Sequence, residues 1–437
     1  MLSRLLISAT VLLLAGCGVT SGLQVQQRGG EGARAALAPA TQPAPRCAGG
    51  GPATTLGQAA FIHNGALQTM LIAACRTTAR TLIARGAQAP LHFSADGRWV
   101  AYGQGTVVSV DRREIVRPLG QSVTEWQWVG ASDELVGVTD GGGLVIGAPG
   151  EAPRALLPGG WGANSLATAD NGTIAVSRVA SAAGGSASIW TLSATHPRPA
   201  LAYSAPRGTE ELQLAQFAPG DQALAFWVNR YGSASLAEDG LPLQLVTLDH
   251  PGPVVTLSTL SPVHPEAVTT CGDRLVFVAG GGREATLGKR LASAYAIDGW
   301  QAESITDGSR SAASPSCAPE GDWLAAAIGP NGQWHAGHEQ RSIELFPMHN
   351  GRRIRLSIPP PGSSDESPRL TRDGRWVLFI GSRLTRDGAV GAGYLISTSR
   401  PDSRPIGPLF TAGPASDYYG TYNWTEAVAF TTAGRVR

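Results

Sequence analysis

Short apolar runs alternate along this chain with turns rich in Gly, Pro and Asp, and a helix-like apolar period is confined to the N-terminal leader. The pattern predicts an all-β chain. Its clearest unit is Ser94-Ala95-Asp96-Gly97-Arg98-Trp99-Val100-Ala101-Tyr102, which follows a short strand ending at Phe93. An Asp-Gly pair between two strand-like runs predicts a hairpin, because glycine accepts the positive φ at which the chain reverses. The wording returns as Leu370-Thr371-Arg372-Asp373-Gly374-Arg375-Trp376-Val377-Leu378-Phe379, with looser copies after Phe217 and Cys317.

Taking the residue before each turn as an anchor gives Phe93, Trp128, Ala167, Phe217, Cys271, Cys317, Leu370 and Trp424, spaced 35 to 54 residues apart. A period of that length with several strands per unit predicts a β-propeller, since one small sheet cannot bury both faces alone. Residues 67–74 and 78–84 look like the last two strands of a unit that lacks its hairpin, and 422–424 and 427–430 like the first two of another. Joined, two strands from each end would close the propeller and remove free strand edges. The expectation is therefore eight four-stranded blades, or seven if the weak unit near 135–156 merges with a neighbour. The domains expected are a signal peptide at 1–16, a flexible tether at 17–55 and a propeller at 56–437.

The S-x-D-G-R-W-V-A/L-Y/F wording of residues 94–102 and 371–379 resembles the repeat of TolB-like proteins, the WD40-like propeller repeat. The resemblance implies a propeller over most of 65–432. TolB-like proteins carry six blades and a separate N-terminal domain, so a place in a Tol–Pal complex is not implied.

The charge is nearly balanced, 34 basic against 33 acidic residues for a formal net charge of +1, so no global field points to nucleic acid or to an anionic membrane surface. The membrane enters by another route. Met1 to Gly16 has Arg4, an apolar run from Leu5 to Leu14 and small residues after it, the composition of an export signal. Leu14-Ala15-Gly16-Cys17 resembles the bacterial lipobox, which implies a mature chain beginning at Cys17 with a thioether-linked diacylglycerol and an amide-linked acyl chain. Each buried CH₂ contributes about 0.8 kcal/mol, so several chains hold firmly. Gly18 rather than Asp follows, which by the same resemblance favours the outer membrane of a Gram-negative envelope.

Four further cysteines, Cys47, Cys75, Cys271 and Cys317, allow three pairings in an exported protein. Cys271 and Cys317 hold the same place in neighbouring repeats, which favours Cys271 with Cys317 and Cys47 with Cys75. The alternative is buried free thiols. No C-x-x-C pair exists, and His335 and His338 lie in a Gly-rich loop, so no metal or other cofactor is expected. Insertions at 229–242, 280–292, 329–341 and 382–392 predict one elaborated face. It would carry Arg230, Tyr231, Arg283, Lys289, Trp334, His335, Arg383 and Arg386, residue types that dominate interface hot spots, unless these are simply solvated loops.

No G-x-S-x-G elbow is present, and Glu210-Glu211 and Asp365-Glu366 are expected to be solvated loop charge. The expectation is a non-enzymatic, monomeric, lipid-anchored scaffold of the bacterial envelope that binds a protein or peptide. The alternatives are an envelope hydrolase or lyase working in the central funnel, or a propeller that binds a glycan or small ligand. Cys17→Ser is expected to move the chain from the membrane to the soluble fraction of a bacterial expression host, read by fractionation and by loss of labelled-palmitate incorporation.

Overall fold

The computed structural model describes residues 55–73, 76–180, 185–229, 240–248, 254–280, 291–296, 301–318, 321–330, 340–349, 351–371, 373–385, 388–400, 403–415, 417–418, 421–422 and 424–431. The repeated wording is a hairpin held by its Ser or Thr hydroxyl and its Asp carboxylate. Ser94 Oγ donates to Asp96 Oδ1 (2.7 Å) and accepts from Trp99 N (3.1 Å), while Asp96 Oδ1 also accepts from Arg98 N (2.9 Å). Thr371 and Asp373 repeat the set, with Thr371 Oγ1 to Asp373 Oδ1 at 2.6 Å and Trp376 N to Thr371 Oγ1 at 3.1 Å. Gly97 and Gly374 sit at φ of 73° and 62°, where a Cβ would be strained.

Each hairpin starts a four-stranded antiparallel meander. Six such sheets span residues 91–116, 123–157, 163–204, 211–261, 268–304 and 310–355. Consecutive sheets bury their apolar faces against one another. Phe217 and Phe226 of one sheet pack with Ala175 and Ile189 of the one before, and Leu275 and Phe277 with Ala225 and Leu243. First strands lie against the first strands of neighbouring sheets, as Ala163–Thr168 does with Glu211–Phe217 and Arg310–Cys317 with Ser364–Leu370. This is the arrangement of an all-β propeller, with first strands nearest the axis.

Closure differs from expectation in detail. Val428–Thr431 pairs antiparallel with Thr55–His63, which pairs with Ala66–Ala73, which pairs with Arg76–Ile83. One strand comes from the C-terminal end and three from the N-terminal end, not two and two. Thr55–His63 was not foreseen although a signal stood beside it: Asn64-Gly65, with φ of 50° and 73°, is the two-residue turn that pairs His63 with Ala66. Trp424 does not lie in a strand: Trp424–Ala427 is a helical turn, and Thr421–Tyr422 pairs only with Asp417–Tyr418.

The count of blades is also corrected. Among the described residues neither eight nor seven separate four-stranded sheets are present. The meander Ser364–Leu370, Trp376–Thr385, Gly388–Ser397 and Thr411–Ala415 is fused to the shared terminal strands, because His63 meets Gly413 in a parallel bridge, giving one eight-stranded sheet. Its two halves pack face to face, Leu378, Ile380 and Leu395 against Phe61, Met70 and Ile72. Trp424, fully buried, belongs to that cluster, and a Cβ on Gly391 would come within 2.6 Å of its ring.

Of the insertion expected at 382–392, residues 382–385 and 388–392 instead continue two long strands, with Arg383 opposite Val390. A disulfide joins Cys271 to Cys317, Cα atoms 5.3 Å apart, across the boundary between two sheets. A loop with a sequence separation of 46 would contribute about 4 kcal/mol on the chain-entropy model. Trp424→Ala is expected to destabilise the domain by about 3 to 5 kcal/mol, read as a lowered denaturation midpoint, because it empties the contact between the chain's two ends.

Candidate functional site

A first strand leaves its axial edge without a strand neighbour, so that backbone must find other partners. Side chains from the adjacent first strand supply them. Gln127 donates through Nε2 to Leu166 O (3.0 Å) and accepts through Oε1 from Thr168 N (3.2 Å). Gln216, with its amide oriented to suit, repeats this with Val268 O (3.2 Å) and Thr270 N (3.1 Å). Each amide acts as one residue of a missing strand. Glu125 accepts from Leu166 N (3.1 Å), Ser165 Oγ accepts from Leu214 N (3.1 Å), and Asn164 Nδ2 donates to Glu211 Oε1 (2.6 Å).

On the opposite side three elements converge on one carboxylate. Glu266 lies in the 3-10 turn Pro265–Ala267, before Val268–Cys271. Ser314 donates its hydroxyl to Glu266 Oε2, and Ser367 donates to the same oxygen at 3.1 Å. Both serines precede proline, both sit at bulges in first strands, and both have positive φ, 48° and 46°. Such a backbone costs about 1 to 3 kcal/mol in a residue with a Cβ and clusters at functional sites.

Arg369, two residues beyond Ser367, donates to Pro368 O at 3.0 Å and lines a small pit with Ser367, Trp424, Val428 and Phe430. Burial pulls its guanidinium pKa below the ordinary range, and Glu266 offsets this only in part. His92, on Leu91–Phe93, keeps a solvent-accessible edge but is densely surrounded by protein. That desolvation, aided by the charge of Arg369, lowers its pKa to about 4, so the ring is neutral at pH 7. Its ring meets that of Trp126 edge-on at 5.3 Å.

The expectation of solvated loop charge is overturned for Asp365, Glu366 and Glu211, while Glu210 is exposed outside a strand as expected. Asp365 and Glu366 are buried on Ser364–Leu370, Glu366 beside Arg341 (3.8 Å), and burial raises Asp365 to about 6. Glu211 is half-buried at the axial edge, and burial lifts neighbouring Glu125 to about 7. Sequence reasoning missed Glu125, Glu266, Ser314, Ser367 and Arg369. A signal existed: Ser-Pro stands three residues before the anchors Cys317 and Leu370 in successive repeats. Of the residues foreseen for partner binding, Arg383 is exposed on a strand. Arg230, Tyr231, Arg283, Lys289, Trp334, His335 and Arg386 lie outside the described residues, as do Cys17, Cys47 and Cys75. Among the described residues no group of His, Cys, Asp and Glu is placed to hold a metal ion, and no helix is long and apolar enough to cross a membrane.

No protein-family model matches the chain, and no curated protein matches it in sequence. Solved structures do match. Dihydro-heme d1 dehydrogenase NirN in complex with DHE is 17% identical with a TM-score of 0.55, over 83% of this chain and 76% of that one. Dipeptidyl peptidase 4 of Porphyromonas gingivalis is 11% identical with a TM-score of 0.54, over 82% of this chain and 60% of the peptidase. This chain thus spans less than two thirds of the peptidase. TolB from Acinetobacter baumannii is also among the matches, 14% identical with a TM-score of 0.35, over 86% of this chain and 81% of TolB.

Likeness at these identities defines the fold alone, a β-propeller shared by proteins of mixed function. It corrects the expectation of a non-enzymatic chain, because the structures sharing this fold include a dehydrogenase and a peptidase.

Glu125 has a raised folded pKa, so its stability penalty is absent below the unfolded value and complete above about 7. Native stability should fall by an amount on the order of 3 kcal/mol as pH rises through that window. Glu125→Gln, which keeps an acceptor for Leu166 N, should flatten the fall and stabilise the domain at pH 8, measured by chemical denaturation across pH 4 to 8.

Proposed function

We propose that this chain is a lipid-anchored propeller of the bacterial envelope that binds a protein or peptide, receiving an anionic group of that ligand at the axis through Arg369. The lipobox-like Leu14-Ala15-Gly16-Cys17 supports the location. The convergence of Glu266, Ser314, Ser367 and Arg369 carries the binding reading, because strained serines are committed to one carboxylate and leave the guanidinium with donors to spare. Among the described residues Arg369 donates to Pro368 O, leaving others of its five donors for a ligand, in a desolvated setting where a carboxylate gains most. Neutral His92 adds a hydrogen-bonding group without a second charge.

A second reading, hydrolysis or elimination at the axis, is favoured by Glu125, whose pKa of about 7 suits a general base at neutral pH. One experiment separates the two. Free-acid and C-terminally amidated hexapeptide libraries are offered to the detergent-solubilised chain, and bound and altered peptides are read by mass spectrometry. Preferential retention of free acids, reduced about tenfold or more by Arg369→Gln, supports the binding reading. Peptide turnover lost on Glu125→Gln supports the second. Equal retention of acids and amides, unchanged by Arg369→Gln, sinks the axial proposal.

A further inference from the structure

Away from the axis, a cleft of about 610 Å³ opens between the sheets 268–304 and 310–355. That volume falls within the range of small-molecule sites. One wall carries Arg274 and Glu303, and the other carries Phe346, Met348 and Arg353, with Ile305 from the connection between the two sheets. Ile305, Phe346 and Met348 pack in the same apolar cluster as Cys271 and Cys317, whose disulfide crosses this sheet boundary. Phe346 and Met348 are almost fully buried and offer only their edges beside Ile305 in an otherwise polar cleft, but that strip is fastened on both sides, which limits the ordering cost of binding.

Neither guanidinium makes a tight ion pair, although Asp307 also lines the cleft within electrostatic reach of Arg353. Arg274 lies 3.8 Å from Glu303 and 3.9 Å from Asp273, with one 3.4 Å bond to Met348 O. Arg353 lies 3.5 Å from Glu344, a carboxylate also bound by Arg310. Among the described residues no tight two-bond carboxylate contact is made by Arg274 or Arg353, so both keep donors for an arriving oxyanion. Glu303 is 78% exposed, and a charge so well solvated competes weakly.

We propose that this cleft is a second binding site, for a small organic oxyanion whose carboxylate or phosphate meets Arg274 and Arg353 while its apolar body lies on Ile305, Phe346 and Met348. The site is independent of the axial one. Benzoate, phenyl phosphate and benzyl alcohol are titrated into the detergent-solubilised full chain and followed by calorimetry and ligand-observed NMR. Saturable binding of either anion, with benzyl alcohol at least tenfold weaker, is expected. Tighter phenyl phosphate identifies a phosphoester ligand and tighter benzoate a carboxylate, both within the proposal.

Arg274→Gln and Arg353→Gln should each weaken the anions about tenfold. Glu303→Gln should tighten them two- to threefold, a gain that misfolding would not produce. Arg369→Gln should leave them unchanged, which separates failure here from failure at the axis. Absence of saturable anion binding, equal binding of benzyl alcohol, or indifference to all three cleft substitutions would overturn the proposal.

Discussion

One constraint runs through the structure: an open strand edge invites another chain, so edges are paired, capped by side chains, or kept short as at Ile115–Val116 and Ile354–Arg355. Pairing Val428–Thr431 with Thr55–His63 satisfies it at the two ends, setting Phe430 opposite Ala59 and Val428 opposite Phe61. The strands that close the propeller also carry its packing. Phe61 stacks on Phe410 at 4.4 Å, and buried Trp424 fills the space beside Ile380 and Gly391. Closure is thus a matter of volume as well as of backbone bonding, which is why small residues on one side face large rings on the other.

The same constraint at the axis yields the candidate site. First strands have no inner neighbour, so Gln127, Gln216, Glu125 and Ser165 take the place of one, each bonding the backbone of the next strand. Where proline removes a donor, at Pro315 and Pro368, the strands bulge and the preceding serines turn to Glu266. Because Arg369 lines its pit with Trp424 and Val428, the geometry at the axis depends on the joining of the termini.

Buried charge follows this architecture. Glu344 is held by Arg310 and Arg353, Glu366 by Arg341, and Glu266 by serine hydroxyls within reach of Arg369. Such groups cost solvation and persist where several partners share them. Glu125 and Asp365 have weaker support, and their raised pKa values record the difference. The outer cleft mixes both signs in a more open setting, Arg274 and Arg353 beside Glu303 and Asp307.

The chain's own wording determined the repeat and its hairpin, because Ser94-Ala95-Asp96-Gly97 and Thr371-Arg372-Asp373-Gly374 encode local bonds that need no distant partner. It also placed Cys271 and Cys317 at equivalent positions, and an alternation of apolar runs and turns was enough to make the fold all-β. The Asn64-Gly65 turn marks Thr55–His63 as one arm of a hairpin, but that its other edge takes a strand from the far end of the chain follows only from packing, and Trp424 looked like a strand anchor until packing turned it into a helical turn. Asp365, Glu366 and Glu211 looked like loop charge for a related reason: a carboxylate's burial and partners come from other repeats, far away in sequence. Local hydrogen bonding is written in neighbouring residues, whereas desolvation and convergence on an axis arise only when the sheets are brought together.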